Sequence, residues 1–307
     1  MNRKNLLTNL KAYGISNLFA VSSIAVSKYF IVNRDAPLSG TFIYSEFIIV
    51  PMLMGIISVW FWRNAGLTSR DLVGKSFLNG CITIVLSSIF LGEGVICLVI
   101  VSPLLFASII AGAFIGRAMF RRNNNTLNSS IIGLLLVAFI TDSFSEHHYE
   151  NMVSDTIIVN APPQQVWKNV VAFKRIKEKN KYWLFKIGMP SPVESTVEGY
   201  YLGAKRKCIF SNGYTFDEKI VTYDENKNLT FAITNQPRDP EIMGHIDIEQ
   251  GQFLLKDNGN GTTTLIGNSW YKLYVFPVWY YDTWAQSITR NVHLRVMEHI
   301  KELSEAK

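Results

Sequence analysis

Near residue 145 the chain changes character, and that change limits its folds more than any other feature. Before it lie five apolar runs with few charges, at about 14–33, 42–62, 73–91, 94–116 and 129–144. Each approaches the ~20 residues needed to cross ~30 Å of hydrocarbon at 1.5 Å per residue, and the last is short. After it come short alternating segments, legible turns and one long amphipathic stretch. The predicted domains are a transmembrane helix bundle over 1–145, a linker over 146–152 and a water-soluble domain over 153–307.

The net charge of +6 becomes informative once it is placed. Residues 1–144 hold 11 Lys/Arg against 5 Asp/Glu, whereas 145–307 hold 19 of each. A basic excess confined to loops between apolar runs reports topology, so nucleic-acid binding is excluded. Arg3, Lys4 and Lys11 precede the first run, Arg63, Arg70 and Lys75 follow the second, and Arg117, Arg121 and Arg122 follow the fourth. These segments are expected in the cytoplasm, as is the N-terminus, in a plasma or inner membrane. Five crossings then place the C-terminal domain outside it; a fifth run lying in the interface reverses that side. A cleavable signal peptide does not fit, because Tyr29-Phe30-Ile31-Val32-Asn33-Arg34 offers no small-residue cleavage site.

Two features of the apolar half bear on its packing. Ser108, Gly112 and Gly116 recur every four positions, which suits close helix–helix approach within one bundle. Lys28, Glu46, Glu93 and Asp142 lie in or beside the runs and are expected at their outer ends. They act either as snorkelling interfacial residues or as a polar seam in which Lys28 pairs with Glu46.

In the second half, Ser154–Asn160 reads as a strand, followed by a helix opened by Pro162-Pro163 with Val166, Trp167, Val170 and Val171 on one side. A second, basic helix is expected over 173–186. Strands follow at about 193–201, 203–210, 214–223, 228–235, 244–256 and 262–273. A closing helix then runs from Pro277 to about 304, with Trp284, Ile288, Val292, Val296, Ile300 and Leu303 on one face. If Ser211-Asn212-Gly213 is a three-residue loop with glycine left-handed, Cys208 faces Phe216 and Arg206 faces Glu218. The inner side then carries Ala204, Arg206, Cys208, Phe210, Tyr214, Phe216, Glu218 and Ile220. The Arg206–Glu218 pair is either structural or a polar anchor for a ligand head.

The entry Asn160-Ala161-Pro162-x-x-Val166-Trp167 and this element order resemble the START/helix-grip superfamily (SRPBCC, polyketide-cyclase-like). The chain further resembles bacterial members of it that carry several N-terminal membrane helices. The stretches concerned are Glu93-Gly94-Val95-Ile96-Cys97 with Pro103, and Gly203-Ala204-x-Arg206 with Phe210-Ser211-x-Gly213. A third group is Gly251-x-Phe253-x-Leu255 and Gly267-x-Ser269-Trp270-Tyr271, continuing through Pro277, Trp284, His293, Arg295-Val296 and His299-Ile300. The resemblance implies an α+β helix-grip domain, a curved antiparallel sheet around a long C-terminal helix enclosing an apolar cavity. Members of the superfamily bind lipids, sterols or polyketides, and some are enzymes; the fold alone does not choose.

Candidate cavity residues are Arg206, Cys208, Phe210, Phe216, Glu218, Trp270, Tyr271, Trp284, Ile288 and His293. His293 and the weaker His299 read first as satisfied core or rim histidines and second as acid/base groups. The basic stretch, with Lys174, Arg175, Lys177, Lys181 and Trp183, is a solvated face or a contact for anionic lipid. Cys81, Cys97 and Cys208 form no CxxC, and His147-His148 reads as linker, so neither a disulfide framework nor a metal site nor a cofactor is expected. No Ser-His-Asp set or phosphate loop is evident. The expected function is binding of a lipid-like or other hydrophobic small molecule at the membrane surface, with membrane lipids as partners. Two alternatives stand beside it: a cyclase- or isomerase-type enzyme on such a ligand, and an interaction module whose cavity is filled by its own side chains.

Overall fold

A computed structural model describes residues 3–32, 43–121, 125–144, 147–237 and 245–306. The chain divides into two compact units. The first contains Met1–His148 with the short segments Pro240–Met243 and Tyr274–Phe276; the second contains Tyr149–Asp239, Gly244–Leu273 and Pro277–Lys307.

The first unit is helical: α1 (Arg3–Val32), a π-helical turn Ser45–Ile49 running into α2 (Val50–Trp62), α3 (Ser69–Leu91), α4 (Val95–Arg121) and α5 (Asn125–Ser143). Among the described residues three helices are long and apolar enough to cross a membrane, Ser45–Trp62, Ser69–Leu91 and Val95–Phe120. α1 carries the polar side chains Ser16 and Asn17 within its apolar run, and the described apolar part of α5 covers Gly133–Asp142.

Those polar side chains of α1 are matched inside the unit. Asn17 donates to Asn79 Oδ1 at 2.7 Å, and Thr83 donates to Asn17 Oδ1 at 2.8 Å. Asn79 donates to Ser16 and Ser58, both at 3.1 Å, so one buried network joins α1, α2 and α3. Polar groups in an apolar bundle are tolerated when they bond one another across helices. The small-residue spacing works within the bundle, as expected. A Cβ on Gly112 would sit 2.0 Å from the Met52 carbonyl oxygen, and one on Gly55 would sit 2.1 Å from that of Ile109. Glycine at these positions lets α2 and α4 touch backbone to backbone. Asp142 is buried and accepts from Ser45 N and Oγ, each at 2.7 Å, tying the end of α5 to the first turn of the π-helical segment. The side chain of Lys28 lies outside the described residues, so its expected pairing with Glu46 is not addressed by the structure.

The second unit runs β1 (Tyr149–Val159), α6 (Pro163–Val171), α7 (Trp183–Lys186), β2 (Pro192–Val197), β3 (Lys205–Phe210), β4 (Thr215–Asp224), β5 (Asn228–Asn235), β6 (Ile246–Asp257), β7 (Thr263–Leu273) and α8 (Val278–Glu305). The strands form one antiparallel sheet in the order β1-β7-β6-β5-β4-β3-β2. Register shifts in the pairings β2/β3, β4/β5 and β6/β7 mark bulges, which increase twist and help the sheet curl. α8 lies against β1 and β7, and Gly267 permits that approach because a Cβ there would sit 2.8 Å from Met297 Sδ. This is the helix-grip arrangement expected from the sequence.

Two expectations change. β1 begins at Tyr149, inside the stretch read as linker, because Tyr149 already pairs with Leu273. The basic helix over 173–186 shrinks to the four residues of α7. Ahead of it, Ile176 donates to the Val193 carbonyl and Ser195 donates to the Phe173 carbonyl, so the segment runs extended along the edge strand β2. Burial of Phe173 and Ile176 outweighs the helix propensity of the lysines.

Candidate functional site

The interior between sheet and α8 is solid at one end. Val159, Val166, Trp167, Val170, Leu229 and Ile300 belong to one closed cluster. The α8 residues expected to be buried are divided. Val296 and Ile300 are buried, while Trp284, Ile288, Val292 and Leu303 keep accessible surface, and the buried stripe runs instead through Tyr281, Ala285, Thr289 and His293.

The strands show the same gradient. The hairpin has the expected register, Arg206 opposite Glu218 and Cys208 opposite Phe216, closed by Gly213 at φ +87°. Gly213 N–H donates to the Phe210 carbonyl at 2.9 Å, as a three-residue loop with left-handed glycine requires. Ala204, Arg206, Glu218 and Ile220 on the inner side are buried, whereas Cys208, Phe210, Phe216 and Ile233 are only half-buried. Because α8 starts near the end of β7, these half-exposed residues and Trp284 and Ile288 belong to one end of the domain. Trp183 of α7 meets Trp284 there, with ring centroids 6.2 Å apart.

Cys208 is the clearest of these residues. Burial, with the Glu218 charge adding to it, pushes its thiol up to about 12, yet the residue retains accessible surface.

Arg206 and Glu218 are both buried and ion-paired. Arg206 Nε also donates to the Val171 carbonyl at 3.0 Å, and the guanidinium lies 4.5 Å from the centre of the Phe231 ring. The Tyr271 hydroxyl donates to Asp282 at 2.6 Å, which also accepts from Asn151 at 3.0 Å. That hydroxyl is committed within the fold, and burial followed by Asp282 holds it well above the ordinary tyrosine range. Trp270 leaves the candidate lining altogether. Neighbouring strand residues face opposite sides of a sheet, so with Ser269 and Tyr271 turned toward α8, Trp270 turns away.

The structure brings together one constellation the sequence did not reveal. His293 Nε2 lies 2.7 Å from Ser269 Oγ, and His293 Nδ1 lies 3.1 Å from Asp155 Oδ2. A carboxylate can only accept, so Nδ1 carries a proton, and in the neutral ring Nε2 accepts from the serine hydroxyl. Arg290 Nε donates to the other Asp155 oxygen at 2.9 Å. β1, β7 and α8 each supply one member, from positions 138 and 24 residues from the histidine. The expectation that no Ser-His-Asp set exists is therefore corrected. Its one sequence signal was Asp155, a carboxylate at an inward position of a strand otherwise alternating Val153, Ile157 and Val159. Across β6, Ser269 faces Gly251, and a Cβ on Gly251 would lie 2.4 Å from the Phe231 ring. Phe231 thus carries one inner row from the Ser-His-Asp chain to Arg206.

On the basic stretch, Lys174, Arg175, Lys177, Lys179 and Lys186 are exposed, as is Trp183 at 49%. Lys181 is ion-paired with Glu298 at 2.7 Å.

No family model and no curated protein matches the chain. Solved structures do. A truncated norcoclaurine synthase from Thalictrum flavum is similar at 11% identity over 53% of this chain and 99% of that one, with a TM-score of 0.38. An aromatase/cyclase from Streptomyces sp. R1128 is similar at 13% identity over 51% and 94%, with a TM-score of 0.36. A protein of Bacillus thuringiensis is similar at 12% identity over 51% and 100%, with a TM-score of 0.34.

Proposed function

We propose that the second unit binds a lipid-like or other hydrophobic small molecule between α8 and the open end of its sheet, in a protein anchored to a bilayer by its first unit. The observation that carries this reading is the set of half-exposed apolar side chains facing inward, Cys208 above all. Leaving such surface inside a domain forfeits about 25 cal/mol per Å2 of apolar area, which an apolar ligand recovers. Aromatic and aliphatic walls supply burial, and Arg206–Glu218 supplies a polar head contact. The exposed basic residues from Lys174 to Lys186, with Trp183 beside them, suit anionic headgroups at ~1 kcal/mol each. The loop charges support cytoplasmic placement of the segments at 63–75 and 117–122; with five crossings the second unit is extracytoplasmic.

Native mass spectrometry of the full chain in detergent tests the binding reading. A co-purifying lipid-sized adduct is expected in the wild type and lost in Ile288→Trp, which fills the space. A ligand-free spectrum under gentle detergent, with folded protein, refutes it in favour of a self-filled interior. The Ser269–His293–Asp155 chain supports a second reading, an enzyme acting on that ligand with His293 as acid/base. Under it, His293→Ala abolishes turnover while retaining the adduct; loss of the adduct as well removes that reading.

A further inference from the structure

His299 is 5% exposed, and its Nε2 lies 2.9 Å from the Lys174 carbonyl oxygen. A carbonyl only accepts, so Nε2 carries the proton, and in the neutral ring Nδ1 is left with a lone pair. That nitrogen has no hydrogen-bond partner, although Glu178 Oε2 lies 3.1 Å away. Glu302 stands on the same side of α8, one turn on, and offers a further oxygen. One ligand atom from each of the three residues lies within 4.8 Å of the others. Glu178 also hydrogen-bonds Glu302, so a proton or a cation is shared among these three groups. Ligand atoms bound about 2.0–2.2 Å from one ion sit roughly 3 Å from each other, as Nδ1 and Oε2 do here.

We propose that His299, Glu178 and Glu302 bind a first-row divalent transition ion, Zn2+ or Mn2+. One imidazole and two carboxylates form a borderline donor set, and the exposure of both glutamates leaves positions for water. The ion joins the segment carrying Lys174 and Glu178 to the last turns of α8, and that segment leads into Tyr182 and Trp183 at the open end of the domain. The alternative is a protonated His299 held by Glu178 alone, with no affinity for metal. This site is separate from the proposed ligand hollow, and it departs from the sequence-based expectation of no metal.

The test uses the full chain in detergent, stripped with chelator and dialysed against Zn2+ or Mn2+ alone, with bound metal counted by mass spectrometry and thermal stability followed alongside. One equivalent is expected to bind and raise the unfolding midpoint. Glu178→Gln and Glu302→Gln, both at exposed positions that leave the fold intact, are expected to weaken binding at least ~10-fold and abolish the midpoint shift. Neither metal being retained at micromolar free concentration overturns the proposal. So does binding that is unchanged in both glutamine variants, which places the ion elsewhere.

Discussion

Replacing Glu218 with leucine strands Arg206, which is 2% exposed, with only the Val171 carbonyl at 3.0 Å and the Phe231 ring at 4.5 Å. Both remaining partners already act in the wild type, so neither offsets the loss. Removing one member of a buried ion pair costs about 3–5 kcal/mol. Arg206→Met costs a similar ~3–5 kcal/mol near neutral pH, because it strands a buried carboxylate. The double variant Arg206→Met/Glu218→Leu carries neither charge; its main defect is the unpaired Val171 carbonyl, about 1–3 kcal/mol. Additive singles would give roughly 6–10 kcal/mol, so the cycle predicts a coupling above ~3 kcal/mol. The measurement is urea unfolding of the full chain in detergent, following tryptophan fluorescence of the second unit. A pH series adds a signed check. Burial already pushes the Glu218 carboxyl up while Arg206 pulls it down, and Arg206→Met removes that opposing pull. With its folded value above its unfolded one, the variant is most stable at the acid end and loses stability as pH rises through the folded value. Coupling below ~1 kcal/mol would show that water reaches both charges, and the buried pairing would be wrong. A stable double variant that no longer co-purifies with ligand would identify the pair as the head-group anchor.

Two further outcomes follow from single positions. Gly112→Ala drives a methyl into the Met52 carbonyl and should lower the detergent unfolding stability of the helical unit by about 1–3 kcal/mol or more. Gly133→Ala, with nothing within 4 Å of its Cβ, should not; equal effects would mean that α2 and α4 are not in backbone contact. In a Cys81→Ser/Cys97→Ser background, Cys208 should react slowly with iodoacetamide up to pH 9 and at the free-thiol rate in urea, because its folded value is near 12. Its raised value means that stability is full below the unfolded pKa and declines as pH climbs toward 12. Rapid native labelling at pH 8 would show the thiol to be open to bulk water.

Much of the fold was legible because local chemistry and tertiary demand agreed. Pro277 opens α8, Gly213 closes the hairpin, and the Arg206–Glu218 register follows from strand alternation once the loop length is set. The basic stretch failed because its helix propensity conflicts with the pairing that β2 offers, and burial of Phe173 and Ile176 decides such conflicts. Trp270 failed for a simpler reason: it cannot share a face with Tyr271.

Periodicity and composition alone determined that an apolar helical half precedes a sheet-and-helix half, since both patterns are written in consecutive residues. Only the folded chain decided that Ser269, His293 and Asp155 meet, that His299 faces Glu178, and that Asn79 joins three helices. Those partners lie tens to more than a hundred residues apart, and no periodic signal encodes which side chains a closing helix brings onto which strands.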